Sequence, residues 1–327
     1  MQQRFANRAE KVIGGRMDWR WADFDYDPTH WVAAVVRVAG RSWRRSQNRK
    51  ASLYVGGVCF YALLAAFPAL AILIGIYSVA VTPDQAAAQA EAFSRLMPPG
   101  PQAMFEAELT RLAHAPIRAM SAQSAVAVVI AFYASHRGVK ALLAGLSLIH
   151  DDVRPRGIVG FNVVALAVAL GGFLLVGLVS WAFLALRVAA TTFDVRPLTP
   201  GSWIFSEWAW ASIGLVLGLS LIYRYAMAST PMPWRAAVAG AGTAAALTLT
   251  SSWVGAYYVQ QIAHYGATYG SVTGVVIFLV WLSWNVNAVF YGGAVATEME
   301  ILAARRSAGQ LKVLRERQAR MASQPES

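Results

Sequence analysis

Between Ala236 and Thr297 the chain runs for 62 residues without an aspartate, glutamate, lysine or arginine, and His264 is its one histidine. A water-soluble fold needs charge on its exposed faces, so a run of this length excludes one and belongs in lipid. At about 1.5 Å of rise per residue and a hydrocarbon core of roughly 30 Å, one helical crossing takes about 20 residues. The stretch is therefore two crossings, about Ala237 to Val259 and about Gly270 to Ala296. Gln260, Gln261, His264, Tyr265, Gly266 and Tyr269 mark the turn between them at headgroup level.

Four further apolar runs precede it, at about Tyr54 to Ala80, Met120 to Ala134, Ile158 to Leu186 and Trp203 to Tyr223. The second is short, so it must thin the bilayer, recruit residues before Met120, or continue into the following helix. A composition of 57% hydrophobic and 14% charged residues agrees with a polytopic chain. The expected fold is an all-α integral membrane protein of six transmembrane helices, with an N-terminal amphipathic interfacial helix and an external helical hairpin. Residues 1–50 form the N-terminal segment, 51–300 the membrane domain and 301–327 a basic tail.

Orientation follows from the cations. With both termini in the cytoplasm, 23 of the 28 lysines and arginines fall inside, and only Arg95, Arg111, Arg118, Arg187 and Arg196 fall outside. This predicts a multi-pass protein of a bacterial inner membrane. The net charge of +11 then reports topology and attraction to anionic headgroups at the cytoplasmic face. Nucleic acid is not an expected partner, because no recognition motif accompanies the charge.

Between Trp31 and Lys50, valines and tryptophans alternate with Arg37, Arg41, Arg44, Arg45 and Arg49, the pattern of a helix lying in the interface with its arginines toward lipid phosphates. The run from Tyr54 is too long and too far from Met1 for a cleaved signal, and is expected to be an anchor. Cys59 is the only cysteine, which leaves no partner for an intramolecular disulfide. Residues 81–119 form the one sizeable outer loop. There Thr82-Pro83-Asp84 starts a helix, Pro98-Pro99-Gly100-Pro101 ends it, and Phe105, Leu109 and Leu112 share one face of a second helix.

Inside the membrane, three kinds of residue call for explanation. Pro68 removes a helical hydrogen bond in mid-span, freeing the Leu64 carbonyl, and is a candidate hinge or fixed kink. Gly240, Gly242, Ala244 and Ala246 in the fifth span, and Gly270 and Gly274 in the sixth, have the spacing that lets helices approach closely. Ser283, Asn285 and Asn287 are polar at depth, where an unpaired amide costs several kcal/mol, roughly. Ser283 and Asn287 share a face and are expected to border a water-accessible path, while Asn285, on the opposite side, is expected to bond a neighbouring helix. Glu207, near the outer end of the fourth span, is a further candidate for coupling, and Arg224 at its inner end can snorkel.

Catalytic constellations are thin. His150-Asp151-Asp152 places three ligand types in a row, but adjacent helical side chains diverge, so neither a metal nor another cofactor is expected. No nucleotide-binding glycine loop is present, which argues against ATP-driven pumping by this chain, and no paired-carboxylate site supports an enzyme. The function expected is that of a secondary transporter, exporter or lipid-translocating protein of unknown substrate, and the alternative is a non-transporting envelope scaffold. A homo-oligomer is compatible with the sequence.

The run Phe60-Tyr61-Ala62-Leu63-Leu64-Ala65-Ala66-Phe67-Pro68 resembles the first-span signature of the YihY/BrkB family, inner-membrane proteins once labelled ribonuclease BN. Leu96-Met97-Pro98-Pro99, Ser135-His136-Arg137-Gly138, Leu221-Ile222-Tyr223-Arg224 and Thr268-Tyr269-Gly270-Ser271 fit the same pattern in order. The resemblance covers roughly Trp31 to Glu300 and implies a transporter or envelope protein rather than a nuclease. Two departures stand out. Ser147 and His150 occupy the positions of a family Asn-x-x-Tyr pair, and Gly293-Ala294-Val295 stands where relatives have Gly-Ala-Glu, which moves any role of that acid to Glu298 or Glu300.

Overall fold

The computed structural model describes residues 31–47, 49–80, 120–151, 157–192, 206–262 and 272–322, and the side-chain surroundings within 35–47, 50–66, 129–151, 157–186, 208–257 and 275–304. Among these residues all regular structure is helical. The elements are α1 (Trp31–Ser46), α2 (Arg49–Ala80), α3 (Met120–His150), α4 (Ile158–Thr192), α5 (Glu207–Leu221) with a π-helical turn at Ile222–Ala226, α6 (Trp234–Ile262) and α7 (Val272–Ala322). Residues 1–30, the expected hairpin at 81–119, and the turn around His264 with Gly270 lie outside the described residues. So do the surroundings of Pro68, Glu207 and Gly274.

The apolar segments read from the sequence fall on α2 to α7 in order. Three of them, Ile158–Leu186, Trp208–Ala226 and Val275–Ala304, are long and apolar enough to cross a membrane. Of the others, α3 is interrupted by His136, Arg137 and Lys140, and alanine, glycine, threonine and serine dominate α6. α3 nevertheless runs unbroken to His150, so its short apolar run is lengthened by continuing past the charged interruption. α2 is likewise helical across Pro68.

Two antiparallel pairs organise the bundle, and small residues set both. In the first, Gly57 of α2 faces Ala141 of α3, and Gly138 of α3 faces Tyr61, where an added Cβ would lie 3.6 and 3.3 Å from the opposing Cβ atoms. The second pair is tighter. A Cβ on Gly240 of α6 would lie 2.6 Å from Ala296 Cβ, and one on Gly292 of α7 would lie 2.6 Å from both Ala244 Cβ and the Gly240 carbonyl oxygen. Gly240 and Ala244 thus mesh with Gly292 and Ala296 as apolar helices do in lipid, where dispersion replaces the hydrophobic effect. Gly242, two residues on, faces open space.

Burial is concentrated at the end of the bundle that carries α1. There Val55 and Cys59 of α2, Leu146 of α3, Tyr223 after α5, Ala241 of α6 and Phe290 of α7 belong to one buried cluster that unites five helices. Phe290 fits because Gly145 presents no side chain to its ring. At the far end, no described residue of α4 beyond Ala165, of α5 before Leu219, or of α7 before Val286 is buried. α4 is the most peripheral helix, with Leu170, Phe173, Leu174, Leu178 and Trp181 all exposed.

Most exposed tryptophans and tyrosines lie near two levels. Trp43, Tyr225 and Trp234 lie at the α1 end, and Trp181, Trp208, Trp253 and Tyr257 at the other. Along α6, Trp234 and Trp253 are separated by about 29 Å at helical rise, close to the roughly 30 Å of a hydrocarbon core. Amphipathic rings at such a spacing are what interfacial belts provide.

Candidate functional site at the α1 end

The long uncharged run ends in Thr297-Glu298-Met299-Glu300 on α7. Residues two apart on a helix point about 200° from one another, so the two glutamates must find partners on different neighbours. They do. Arg45 of α1 donates to Glu298 Oε1 from Nε (3.1 Å) and Nη2 (2.9 Å), while His150 of α3 pairs through Nε2 with Glu300 Oε2 at 2.9 Å. Glu298, Glu300 and His150 are all buried.

Arg45 is also tied to α3. Its Nη1 donates to the Ile149 carbonyl (3.1 Å) and to Asp151 Oδ2 (2.8 Å). Asp151 reaches that position because it leaves the helix in the left-handed region (φ 53°), its N–H closing a 3.2 Å bond to the Leu148 carbonyl. A non-glycine residue adopts that conformation most readily when it is Asn or Asp. One guanidinium therefore joins α1, the end of α3 and α7. Tyr291 adds a second tie, its hydroxyl donating to the Ala39 carbonyl (3.2 Å) and its ring meeting Trp43 edge-on at 6.3 Å.

The π-helical turn lies beside this cluster. Its signature is the bond from the Met227 N–H to the Ile222 carbonyl at 3.0 Å. π-bulges are rare and recur at functional positions. Here the extra residue turns Tyr223 inward, where its hydroxyl donates to the Val289 carbonyl of α7 (2.6 Å). Ser147 Oγ donates to the Met227 carbonyl at 3.1 Å and so holds the exit of the turn. Arg224 does not extend away from the bundle. It donates to the Met232 carbonyl and its guanidinium lies 4.5 Å from the Trp234 ring centre and 5.0 Å from that of Tyr225.

The polar residues of the last span are dispersed. Asn285 Nδ2 donates to the Trp281 carbonyl one turn earlier on its own helix (2.7 Å), and its Oδ1 is buried without a partner. The interhelical bond expected of Asn285 is made instead by Trp281, whose Nε1 donates to Ser252 Oγ of α6 at 3.1 Å. Asn287 is exposed, donates to the Ser283 carbonyl (2.8 Å), and shares a stripe with exposed Val276, Val280 and Trp284. That stripe continues into Tyr291, which α1 covers. Ser283 is partly buried at its edge. Glu207 opens α5 at the far end, remote in the fold from the Arg45 cluster. The structure thus brings together Ser147, His150, Glu298 and Glu300, and does not gather Ser283, Asn287 and Glu207 with them. No sequence signal marks Arg45 as a cluster member, because its place among four other arginines reads as lipid-facing. Among the described residues, no group of three or more His, Cys, Asp or Glu is arranged to hold a metal.

A bundle of apolar helices, aromatic at two levels and joined by small residues, defines a helical membrane protein. The family profile described as Virulence factor BrkB matches residues 42–315, and the chain belongs to that family. The match takes in Arg45, the π-turn and both glutamates. Neither a curated protein nor a solved structure matches the chain.

Proposed function

We propose that the chain is a six-crossing inner-membrane protein with cytoplasmic N and C termini, and that it acts as a secondary transporter, exporter or lipid-translocating protein. The observation that supports this reading is the uneven packing: helices α2, α3, α5, α6 and α7 meet in one buried cluster at the α1 end and present few buried residues at the other. Alternating access needs an end that closes and a wall that opens. Under the orientation favoured by the cations, the closed end is cytoplasmic. The Arg45 cluster then lies where a cytoplasmic gate would be latched, since polar ties can be exchanged for water more readily than a filled apolar core.

In this reading Ser283 and Asn287 border the path and Glu207 stands near its outer mouth. The alternative, an envelope scaffold, draws support from Asn285 and Asn287, whose amides donate within their own helix and leave no continuous polar lining among the described residues. Single cysteines at Ser283, Asn287 and Val286 in a Cys59→Ala background separate the two. Reaction of the first two with a membrane-impermeant thiol reagent, with Val286→Cys inert, is expected for a path. Silence at both from either side of the membrane refutes the path and leaves the scaffold.

A further inference from the structure

We infer that α1 carries a binding surface for anionic phospholipid, formed by Arg41 and Arg44 beside an exposed apolar sector, and separate from the arginine that anchors the helix. Around the helix at 100° per residue, most described positions fall into three sectors, while Val35, one turn before Ala39 on the same face, is exposed. Val38, Ala39, Ser42 and Arg45 face the bundle: Ser42 is fully buried, the Ala39 carbonyl takes the Tyr291 hydroxyl, and Arg45 holds Glu298 and Asp151. Val36 and Trp43 form a second sector and remain 64% and 59% exposed although one edge of the Trp43 ring meets Tyr291. Arg37, Arg41 and Arg44 form the third sector, about 100° further round, and Arg44 is exposed.

The geometry argues for lipid as the occupant. A tryptophan and a valine presented beside arginines match acyl chain and phosphate in the order that an interfacial helix meets them. Trp43 also stands at the same end as Tyr225 and Trp234, so α1 lies at the level of an aromatic belt and not beyond it. Guanidinium favours phosphate oxygens over a zwitterionic surface's balanced charge, which sets the preference for an anionic headgroup. In sequence the five arginines of this segment look alike; the structure assigns Arg45 to protein and leaves the Arg41–Arg44 side for lipid. The inference rests on the membrane reading and is independent of transport and of orientation.

The test is lipid binding to the purified full-length protein in neutral detergent, with labelled phosphatidylglycerol and labelled phosphatidylcholine as probes and inorganic phosphate as competitor. Wild type is expected to prefer phosphatidylglycerol, with the preference falling at high salt and unaffected by millimolar phosphate. Arg41→Gln with Arg44→Gln should cut that preference by roughly tenfold or more, at about a factor of five per basic residue. Arg44→Gln alone, at an exposed position, keeps the test available should the double variant fold poorly, and Arg41→Lys with Arg44→Lys should retain most of the preference. Equal binding of the two lipids by wild type, an undiminished preference in the glutamine variants, or full displacement by inorganic phosphate would each overturn the assignment.

Discussion

Truncating Arg45 should destabilise the protein far more than removing either acid's charge, and the structure sets the order. In Arg45→Ala, Glu298 keeps a carboxylate of which only 7% is exposed and loses both of its charge-assisted bonds. Breaking a buried pair from one side costs about 3 to 5 kcal/mol, because the remaining charge is left without compensation. Glu298→Gln keeps an acceptor at Oε1 and leaves Arg45 its bonds to Asp151 and the Ile149 carbonyl, so its cost should be about 1 to 2 kcal/mol. Asp151→Asn touches a carboxylate that is 60% exposed, and a solvent-screened pair of that kind contributes about 0 to 1 kcal/mol. Replacing both partners, Arg45→Met with Glu298→Met, should recover most of the loss, since an apolar pair demands no desolvation. Thermal unfolding followed by size-exclusion chromatography, with all variants in one detergent, reads the ranking. If Arg45→Ala melts no earlier than Asp151→Asn, the buried-pair account of this cluster is wrong.

Three more outcomes are expected. Gly240→Val and Gly292→Val should each destabilise the bundle by more than the roughly 1 to 3 kcal/mol of ordinary overpacking, because the opposing atoms are backbone or Cβ, whereas Gly242→Ala should be neutral; matched melting curves would show it. Asn285→Leu should leave stability unchanged or raise it, since it removes a buried, unpartnered Oδ1 and only a bond within the same helix; a clear drop in melting temperature would point to an interhelical partner after all. A reporter active only in the periplasm, fused after Ser327, should be silent, and activity there would reverse the proposed orientation.

Much of the fold is legible in the sequence, and the limits are physical. Hydropathy locates the helices because lipid imposes one requirement on every residue of a span. It does not tell where a helix stops when polar residues follow, so α3 extends sixteen residues beyond Ala134, through His136 and Lys140. Spacing of four identifies Gly240 and Ala244 as close-contact residues, yet their true counterparts are Gly292 and Ala296, a choice made by the register of two helices packed against each other. Asn285 shows the same limit in reverse. A polar side chain on a helix always has the carbonyl one turn back within reach, and that local bond can win over a partner on another helix. The glutamates at the end of the uncharged run advertise that they need cations. Which cations supply them depends on how α1 folds back on α7, and no local pattern records that.

Arg45 and Glu298 are 253 residues apart in the chain and in contact in the fold. At a ribosomal pace of about 5 to 20 residues per second, the arginine emerges roughly 13 to 50 seconds before the acid that will hold it exists. Throughout that interval α1 has no α7 to lie against, and the tie between them can be made only after the final span has been synthesised. The join is therefore a mark of completed assembly: a chain truncated before Glu298 carries an amphipathic segment at its start that has never been captured, a difference that quality-control proteases could read.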